Sequence, residues 1–348
     1  MAKSAYHPHS KTYDQALNSL QKGEFTKAAD DLSGISFYED SVQLAQYCRA
    51  HAYAAEGKYD DALTLFSALG GYRDSDQWYA YYFAKGIEES ASTPGSRAYA
   101  ASLYNKEILR EFKDAYARAE SIRSALYTEG TASEENGEWS KASEIYDALD
   151  GYLDSATRYY YVAGRNCELQ GESSPMSYIN AIKKYETAGS YSDSKTRAEN
   201  CLDAVYKKAS KLIEDEDFDN AEALYIALGD RCDESKKAEL QKAREDAAEA
   251  AHQAKIAEAE ALVKENKFDE ARELYLEIGE TKHAMDALFQ KAEYLAREGK
   301  TKEAATLYLS IGDHLSREKH FNLGVSLIES DPVTASGSSN NRRLKTGF

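Results

Sequence analysis

The residues that could do chemistry are few and scattered along the sequence. The triplet GKT at 299–301 suggests a phosphate-binding loop, but Tyr294 stands where that motif needs its upstream glycine, and no strand pattern precedes it. Ser192 and Lys195 have S-x-x-K spacing, yet they lie in a phrase that recurs along the chain. We find no set of residues that together would form a catalytic site. The sequence therefore predicts a protein that is not an enzyme, with no catalytic residues.

Histidines and cysteines give no metal signature either. The cysteines are at least 31 residues apart and form no C-x-x-C pair, so we expect reduced thiols packed as small hydrophobic side chains. They are Cys48, Cys167, Cys201 and Cys232. His7 and His9 could share a metal, but the later histidines (His283, His314 and His320) lie in no H-E-x-x-H or carboxylate-rich motif. We predict no metal site and no cofactor.

Charge and hydropathy limit the class of partner. The net charge is −17, and a chain with no basic surplus is not suited to a nucleic-acid backbone. No apolar run approaches the roughly 18 residues that span a bilayer, so we expect no membrane insertion. The opening MAKSAYHPHS lacks the apolar region of a secretory signal, and for a complete chain this predicts a cytoplasmic location. A protein or peptide partner remains, and a basic one would suit the charge.

An aspartate recurs at nearly constant intervals and indicates a helical repeat. The series is Asp40, Asp74, Asp114, Asp154, Asp193 and Asp233, with spacings of 34, 40, 40, 39 and 40. Such a period is typical of a helical solenoid. We expect each aspartate to cap the helix that follows it by accepting free backbone N–H groups, after glycines such as Gly70, Gly151 and Gly189 have ended the helix before. Only four prolines interrupt the chain, so the sequence predicts an all-α fold.

Each repeat has a second joint, where a polar turn is followed by an aromatic residue, an alanine and a large apolar residue. Alanine and the large residue are four positions apart, so they share one helix face. The alanines are Ala28, Ala62, Ala100, Ala142, Ala181, Ala221, Ala271 and Ala304, and their partners are Leu32, Phe66, Tyr104, Tyr146, Tyr185, Tyr225, Tyr275 and Tyr308. The small residue should let two helices approach closely while the large one fills the groove between them.

This pattern resembles the tetratricopeptide repeat (TPR), whose second helix reads G-x-Y-x-x-A-x-x-x-[YF]-x-x-A. The match is best around Gly57, Tyr59, Ala62 and Phe66, and Ala50 stands where the family has a small residue in its first helix. The resemblance covers about residues 11–330. It implies a right-handed α-solenoid of about eight helix-turn-helix units. The capping aspartate replaces the closing proline of the family, and most units are longer than 34 residues.

The predicted organisation has five parts. They are a flexible leader (1–10), an N-terminal repeat array (11–232), a long helix without breakers that joins the two portions (233–267), C-terminal repeats (268–330) and a flexible tail or linker (331–348). The loops at 89–97 and 171–177 widen the turn within alternate units.

The predicted function is that of a non-catalytic scaffold that binds protein or peptide partners through a concave face. The resemblance places the partner-binding groove at seven positions of the first helices: Tyr47, His51, Trp78, Tyr81, Lys85, Tyr161 and Arg165. Tyr, Trp and Arg are also enriched at interface hot spots. The alternative is that the chain is the sensor or docking arm of a larger multidomain enzyme or signalling protein, whose catalytic part lies outside this sequence.

Overall fold

The computed structural model describes residues 8–330, and within that range every regular element is helical. The all-α prediction is confirmed. The first eleven α-helices are α1 Pro8–Gln21, α2 Phe25–Ser33, α3 Ser41–Ala55, α4 Tyr59–Leu69, α5 Ser75–Ser90, α6 Pro94–Tyr104, α7 Ala115–Glu135, α8 Trp139–Ala148, α9 Ser155–Gln170, α10 Pro175–Ala188 and α11 Ser194–Glu214. The others are α12 Phe218–Leu228, α13 Glu234–Lys264, α14 Phe268–Glu277, α15 Thr281–Arg297, α16 Thr301–Ile311 and α17 His314–Ser330. Short 3₁₀ turns lie at Glu107–Leu109 and Gly229–Arg231.

The helices pack into two units, one up to Ala209 and one from Ser210 onward. Consecutive helices pack against one another in chain order from α1 to α10 and from α12 to α17, as a helical repeat requires. The boundary falls within α11, before the long helix at which the sequence divides the array. The predicted leader overlaps α1, which begins at Pro8. Residues 1–7 and the predicted tail lie outside the described residues.

Helices begin directly after the recurring aspartates, as predicted. The helices after Asp40, Asp74, Asp154 and Asp193 start at Ser41, Ser75, Ser155 and Ser194. The residue before each of five aspartates has a left-handed backbone, although it is never glycine: Glu39, Arg73, Lys113, Leu153 and Ser192 have φ between 46° and 53°. These joints therefore place a non-glycine residue in a conformation that few such residues adopt, while Gly70 and Gly189 end α4 and α10 as predicted.

The capping role expected of the aspartates is wrong for four of them. The carboxylates of Asp40, Asp74, Asp114 and Asp154 accept no hydrogen bond from the free backbone N–H groups of the helix that follows. Asp233 does cap α13, where its carboxylate accepts a hydrogen bond from the backbone N–H of Ser235 at 2.8 Å. The other carboxylates are turned toward tyrosines of the preceding repeat, as described below.

The contact between the two helices of a repeat is as predicted. We call α1, α3, α5 and so on the first helices, and α2, α4, α6 and so on the second helices. All eight alanines of the series are fully buried, and their eight large partners are at most 4% exposed. The first helix contributes a small residue at this contact, and at Gly164 an added Cβ would lie 2.6 Å from the ring of Tyr185. Helix pairs therefore pack closely through small residues facing large ones.

Candidate binding surface

The seven predicted groove residues occupy two repeated positions of the first helices, plus Trp78. Tyr47, Tyr81 and Tyr161 are equivalent, and each lies six residues into its helix. His51, Lys85 and Arg165 follow them by four residues and are therefore on the same helix face. The three tyrosines and His51 are buried, whereas Trp78, Lys85 and Arg165 are partly exposed. The structure thus brings the residues together as sets at three joints between repeats, those of Asp74, Asp114 and Asp193.

The tyrosine at the first of these positions donates a hydrogen bond from its hydroxyl to the aspartate of the next joint. The Tyr47 hydroxyl donates to Asp74 at 2.6 Å, and the Tyr161 hydroxyl donates to Asp193 at 2.9 Å. Tyr81 donates to Asp114 at 2.5 Å. Tyr13 and Tyr127 make the same bond to Asp40 and Asp154. Five repeats therefore use one tyrosine–aspartate contact to fix the following helix start.

Three of these joints extend into a larger polar network. An arginine four residues after the aspartate pairs with that aspartate and with a glutamate of the previous first helix. This glutamate also accepts a hydrogen bond from the large buried tyrosine of the second helix that lies between them in sequence. The sets are Asp114, Arg118, Glu88 and Tyr104; Asp154, Arg158, Glu134 and Tyr146; and Asp193, Arg197, Glu168 and Tyr185. The arginine–glutamate N–O distances are 3.1, 2.9 and 3.0 Å.

The electrostatics of the network favour charged aspartates. Burial alone would raise the pKa of Asp114, but the hydrogen bond from Tyr81 and the positive charge of Arg118 outweigh it and hold that pKa below its ordinary value. The same causes lower the pKa of Asp154 and Asp193. Burial, and then the hydrogen bond to Glu134, raise the pKa of Tyr146, which keeps it a protonated donor. Near neutral pH the three aspartates are therefore charged and Tyr146 is neutral, so none of these four side chains is poised for proton transfer.

The position four residues after the tyrosine covers an aromatic ring of the preceding second helix. The pairs are His51 on Phe25, with ring centroids 4.8 Å apart, Lys85 Nζ at 6.0 Å from the centre of the Tyr59 ring, and the Arg165 guanidinium at 4.1 Å from the centre of the Trp139 indole. Cations over aromatic faces contribute roughly 0.5–2 kcal/mol. Lys85 and Arg165 are therefore engaged with their own repeat array on one side while part of each side chain meets solvent.

Trp78 takes the position that arginine occupies in the three networks, four residues after its joint aspartate. Its indole stacks on Tyr82 at 5.1 Å and meets the edges of His51 at 4.5 Å and Phe112 at 4.9 Å. The Lys113 ammonium lies 4.8 Å from the indole centre. An aromatic cluster thus replaces the ionic network at this joint. The partner-binding role of the seven residues stays a prediction, and their packing shows that they also hold neighbouring repeats together.

A different set of aromatic residues faces solvent in the same unit. Tyr79 is 39% exposed and stacks on the partly buried Phe83 at 6.4 Å between ring centroids. Tyr159, which follows its joint aspartate by five residues as Tyr79 does, lies beside Tyr160, and the Lys184 ammonium is 5.4 and 5.3 Å from their ring centres. None of these residues is among the seven predicted groove residues. Their equal distance from the aspartates was the available signal.

Other kinds of site are missing from the described part of the chain. Within residues 8–330, no three His, Cys, Asp or Glu side chains are grouped as a metal site would need. Over the same residues, no helix has both the length and the apolar character needed to span a bilayer. The four cysteines are free thiols, three of them buried.

Solved structures include one of similar helical architecture. The chain is similar to the crystal structure of the TPR domain of P58(IPK), with 15% identity, 93% of this chain and 99% of that chain covered, and a TM-score of 0.24. No family model matches the chain, and no curated protein is similar to it in sequence. A TM-score of this size reflects little global superposition, so the fold assignment depends on the helix pairs themselves. Their chain-order packing, with small first-helix residues against large second-helix ones, is that of a TPR-like helical repeat.

Proposed function

We propose that the chain is a non-catalytic scaffold that binds a protein or peptide partner along the first helices of the unit that ends at Ala209. The observation that carries this proposal is the exposed ring of Tyr79, which stacks on the partly buried Phe83 of α5, with the partly exposed Tyr159 at the equivalent place on α9. Exposed tyrosine offers a large contact area at a low cost in side-chain entropy. The four free thiols suit a reducing compartment such as the cytoplasm.

The predicted groove residues enter this proposal in two roles. Trp78, Lys85 and Arg165 are partly exposed and serve as direct contacts. The buried tyrosines and His51 support the helices that carry those contacts, through the hydrogen bonds to the joint aspartates. Lys85 and Arg165 lie 3.9 and 3.6 Å from Glu89 and Glu168, so their contact with a partner is through their exposed aliphatic and cationic faces rather than as unpaired charges.

The test selects a peptide ligand for the full chain from a displayed random library and measures its Kd by fluorescence anisotropy. We expect a Tyr79→Ser, Phe83→Ser double variant to bind the selected peptide about thirtyfold more weakly, since a hot-spot truncation costs about 2 kcal/mol. Tyr99→Ser, Tyr116→Ser is the matched control, because both tyrosines are at least 50% exposed and lie on α6 and α7. Circular dichroism checks that both variants fold. Equal losses in both variants, or none in either, would contradict the proposal.

A further inference from the structure

The second helices of the unit that begins at Ser210 expose an aliphatic residue at one fixed position. It is the residue directly after the large buried tyrosine of α12, α14 and α16. Ile226 is 72% exposed, Leu276 is 43% exposed and Leu309 is 48% exposed. We call these three residues the aliphatic row. A single exposed aliphatic residue is normal, but three at one position of successive repeats form a pattern.

The other unit supplies an internal comparison. There the equivalent position is exposed as well, but it is polar in all five second helices: Ser33, Ser67, Asn105, Asp147 and Glu186. The position therefore does not need an apolar residue in order to pack a helix pair. The three side chains of the row remain open to solvent. Packing within their own repeats therefore does not explain why they are aliphatic.

Next to Ile226 the packing leaves space. A cleft of about 300 Å³ lies between α12 and α13. Its lining is Glu222, Tyr225, Ile226, Lys237, Leu240, Gln241 and Arg244, and its two cations are paired, Lys237 with Glu234 and Arg244 with Glu222. Leu240 is 7% exposed and gives the cleft an apolar floor. A cleft of this size admits one bulky aliphatic side chain, which would cover Ile226 at the same time.

Acidic side chains surround the row. Residues 210–330 contain 28 Asp and Glu against 17 Lys and Arg. Three cations of neighbouring first helices are paired with carboxylates of the second helices: Arg244 lies 3.0 Å from Asp219 and 3.1 Å from Glu222, Lys291 lies 2.6 Å from Asp269, and Lys255 lies 2.5 Å from Glu277. The exposed Glu273 and Glu277 precede and follow Leu276 on α14. A ligand for this surface should therefore be basic, since complementary charge speeds association and excludes acidic competitors.

We propose that the aliphatic row and the adjoining cleft bind a basic amphipathic segment of a partner protein, with bulky aliphatic side chains on one face and Lys or Arg beside them. This surface lies in a different unit from the aromatic residues of the proposed function. It extends the scaffold role to a second contact, and the two surfaces can be tested independently. Aliphatic contacts supply affinity, and the acidic surroundings select the partner by charge.

The test uses a fluorescein-labelled synthetic helical peptide with leucine on one face and lysine on the other, titrated with the full chain. Two control peptides replace the leucines by serine at the same charge, or the lysines by glutamate. We expect each control peptide to bind at least tenfold more weakly than the leucine–lysine peptide. Equal binding of the serine peptide would show attraction by charge alone and would overturn the proposal.

The matched protein variant gives the row the polar character of the other unit. Ile226→Ser, Leu276→Ser, Leu309→Ser should keep its thermal unfolding midpoint and lose at least tenfold in affinity for the leucine–lysine peptide. Val42→Ser, Leu169→Ser is the control, since both residues are over 50% exposed in the other unit, and it should bind as the parent does. An unchanged affinity in the triple variant would overturn the proposal. So would a parent chain that is dimeric in sedimentation and becomes monomeric in the triple variant, because the row would then join two copies of this chain.

Discussion

At the scale of single residues, His51 shows how strongly the joints are adapted to packing. Its side chain is 3% exposed and has aromatic rings on several sides, with Phe25 stacked on it and Trp78 at its edge. Burial lowers the pKa of His51 to about 4, and this is opposed by the negative charge of Asp74 and reinforced by the positive charge of Lys113. The imidazole is therefore a neutral aromatic filler at neutral pH rather than a pH sensor.

Because folding lowers the pKa of His51, the protein should become less stable as the pH falls. In the unfolded chain His51 titrates near 6.5, whereas in the folded chain it titrates near 4, so the unfolded state binds more protons between these values. The contribution of neutral His51 to the free energy of unfolding is complete above pH 6.5. It is lost as the pH falls toward 4, by up to about 3 kcal/mol. We predict that urea unfolding shows a smaller loss of stability between pH 7.5 and 4.5 in His51→Phe than in the parent. Identical pH dependence in both proteins would show that His51 is accessible to protons when folded.

At the scale of the helix pair, the contact between small and large residues sets the spacing of the elements. Gly164 on α9 lies under Tyr185 of α10, and this ring is 1% exposed and held by a hydrogen bond from its hydroxyl to Glu168 at 2.5 Å. The ring therefore has little freedom to move away from an added methyl group. Gly86 on α5 differs, because its nearest neighbour is the edge of Tyr59 at 3.4 Å from an added Cβ.

The two glycines make a matched pair of substitutions. We predict that Gly164→Ala destabilises the protein by about 1–3 kcal/mol, because an added Cβ would lie 2.6 Å from the Tyr185 ring. Gly86→Ala should be neutral or stabilise by up to about 1 kcal/mol, because alanine is the better helix former and the space exists. Denaturant unfolding of both variants measures the difference. Equal stabilities would mean that Tyr185 is not in close contact with α9.

Much of this element-scale structure was predictable from sequence, because local periodicity determines it. The alanine series and the helix starts after Asp40 and Asp74 follow from spacing alone. The bond from Tyr47 to Asp74 was not predictable in this way, because it joins residues 27 apart and depends on how successive helices are rotated. The resemblance to the TPR family places the buried tyrosines in the groove, whereas their hydroxyls point to the next joint.

At the scale of the whole molecule, the repeated joints link each repeat to its neighbours in the chain. Arg158 illustrates the link, because it pairs with Asp154 at 3.0 Å and Glu134 at 2.9 Å, and its guanidinium lies over the rings of Tyr127 and Tyr191. Its contacts thus connect α7, α9 and the joint before α11. In an array of this type, stability is approximately the sum of the repeats and of their nearest-neighbour contacts.

A perturbation at Arg158 should accordingly remain local. Arg158→Met leaves the side chain of Glu134, 11% exposed, without its cation, which is costly for a largely buried carboxylate. We predict that hydrogen–deuterium exchange speeds up in α7 to α10 while α1 to α3 of the same unit keep their protection. Arg110→Met is the control, since Arg110 is 74% exposed and pairs with Glu107, which is 84% exposed, and its exchange should match the parent throughout. If Arg158→Met accelerated exchange equally in α1 to α3, the unit would unfold as one cooperative block, and nearest-neighbour coupling would not describe it.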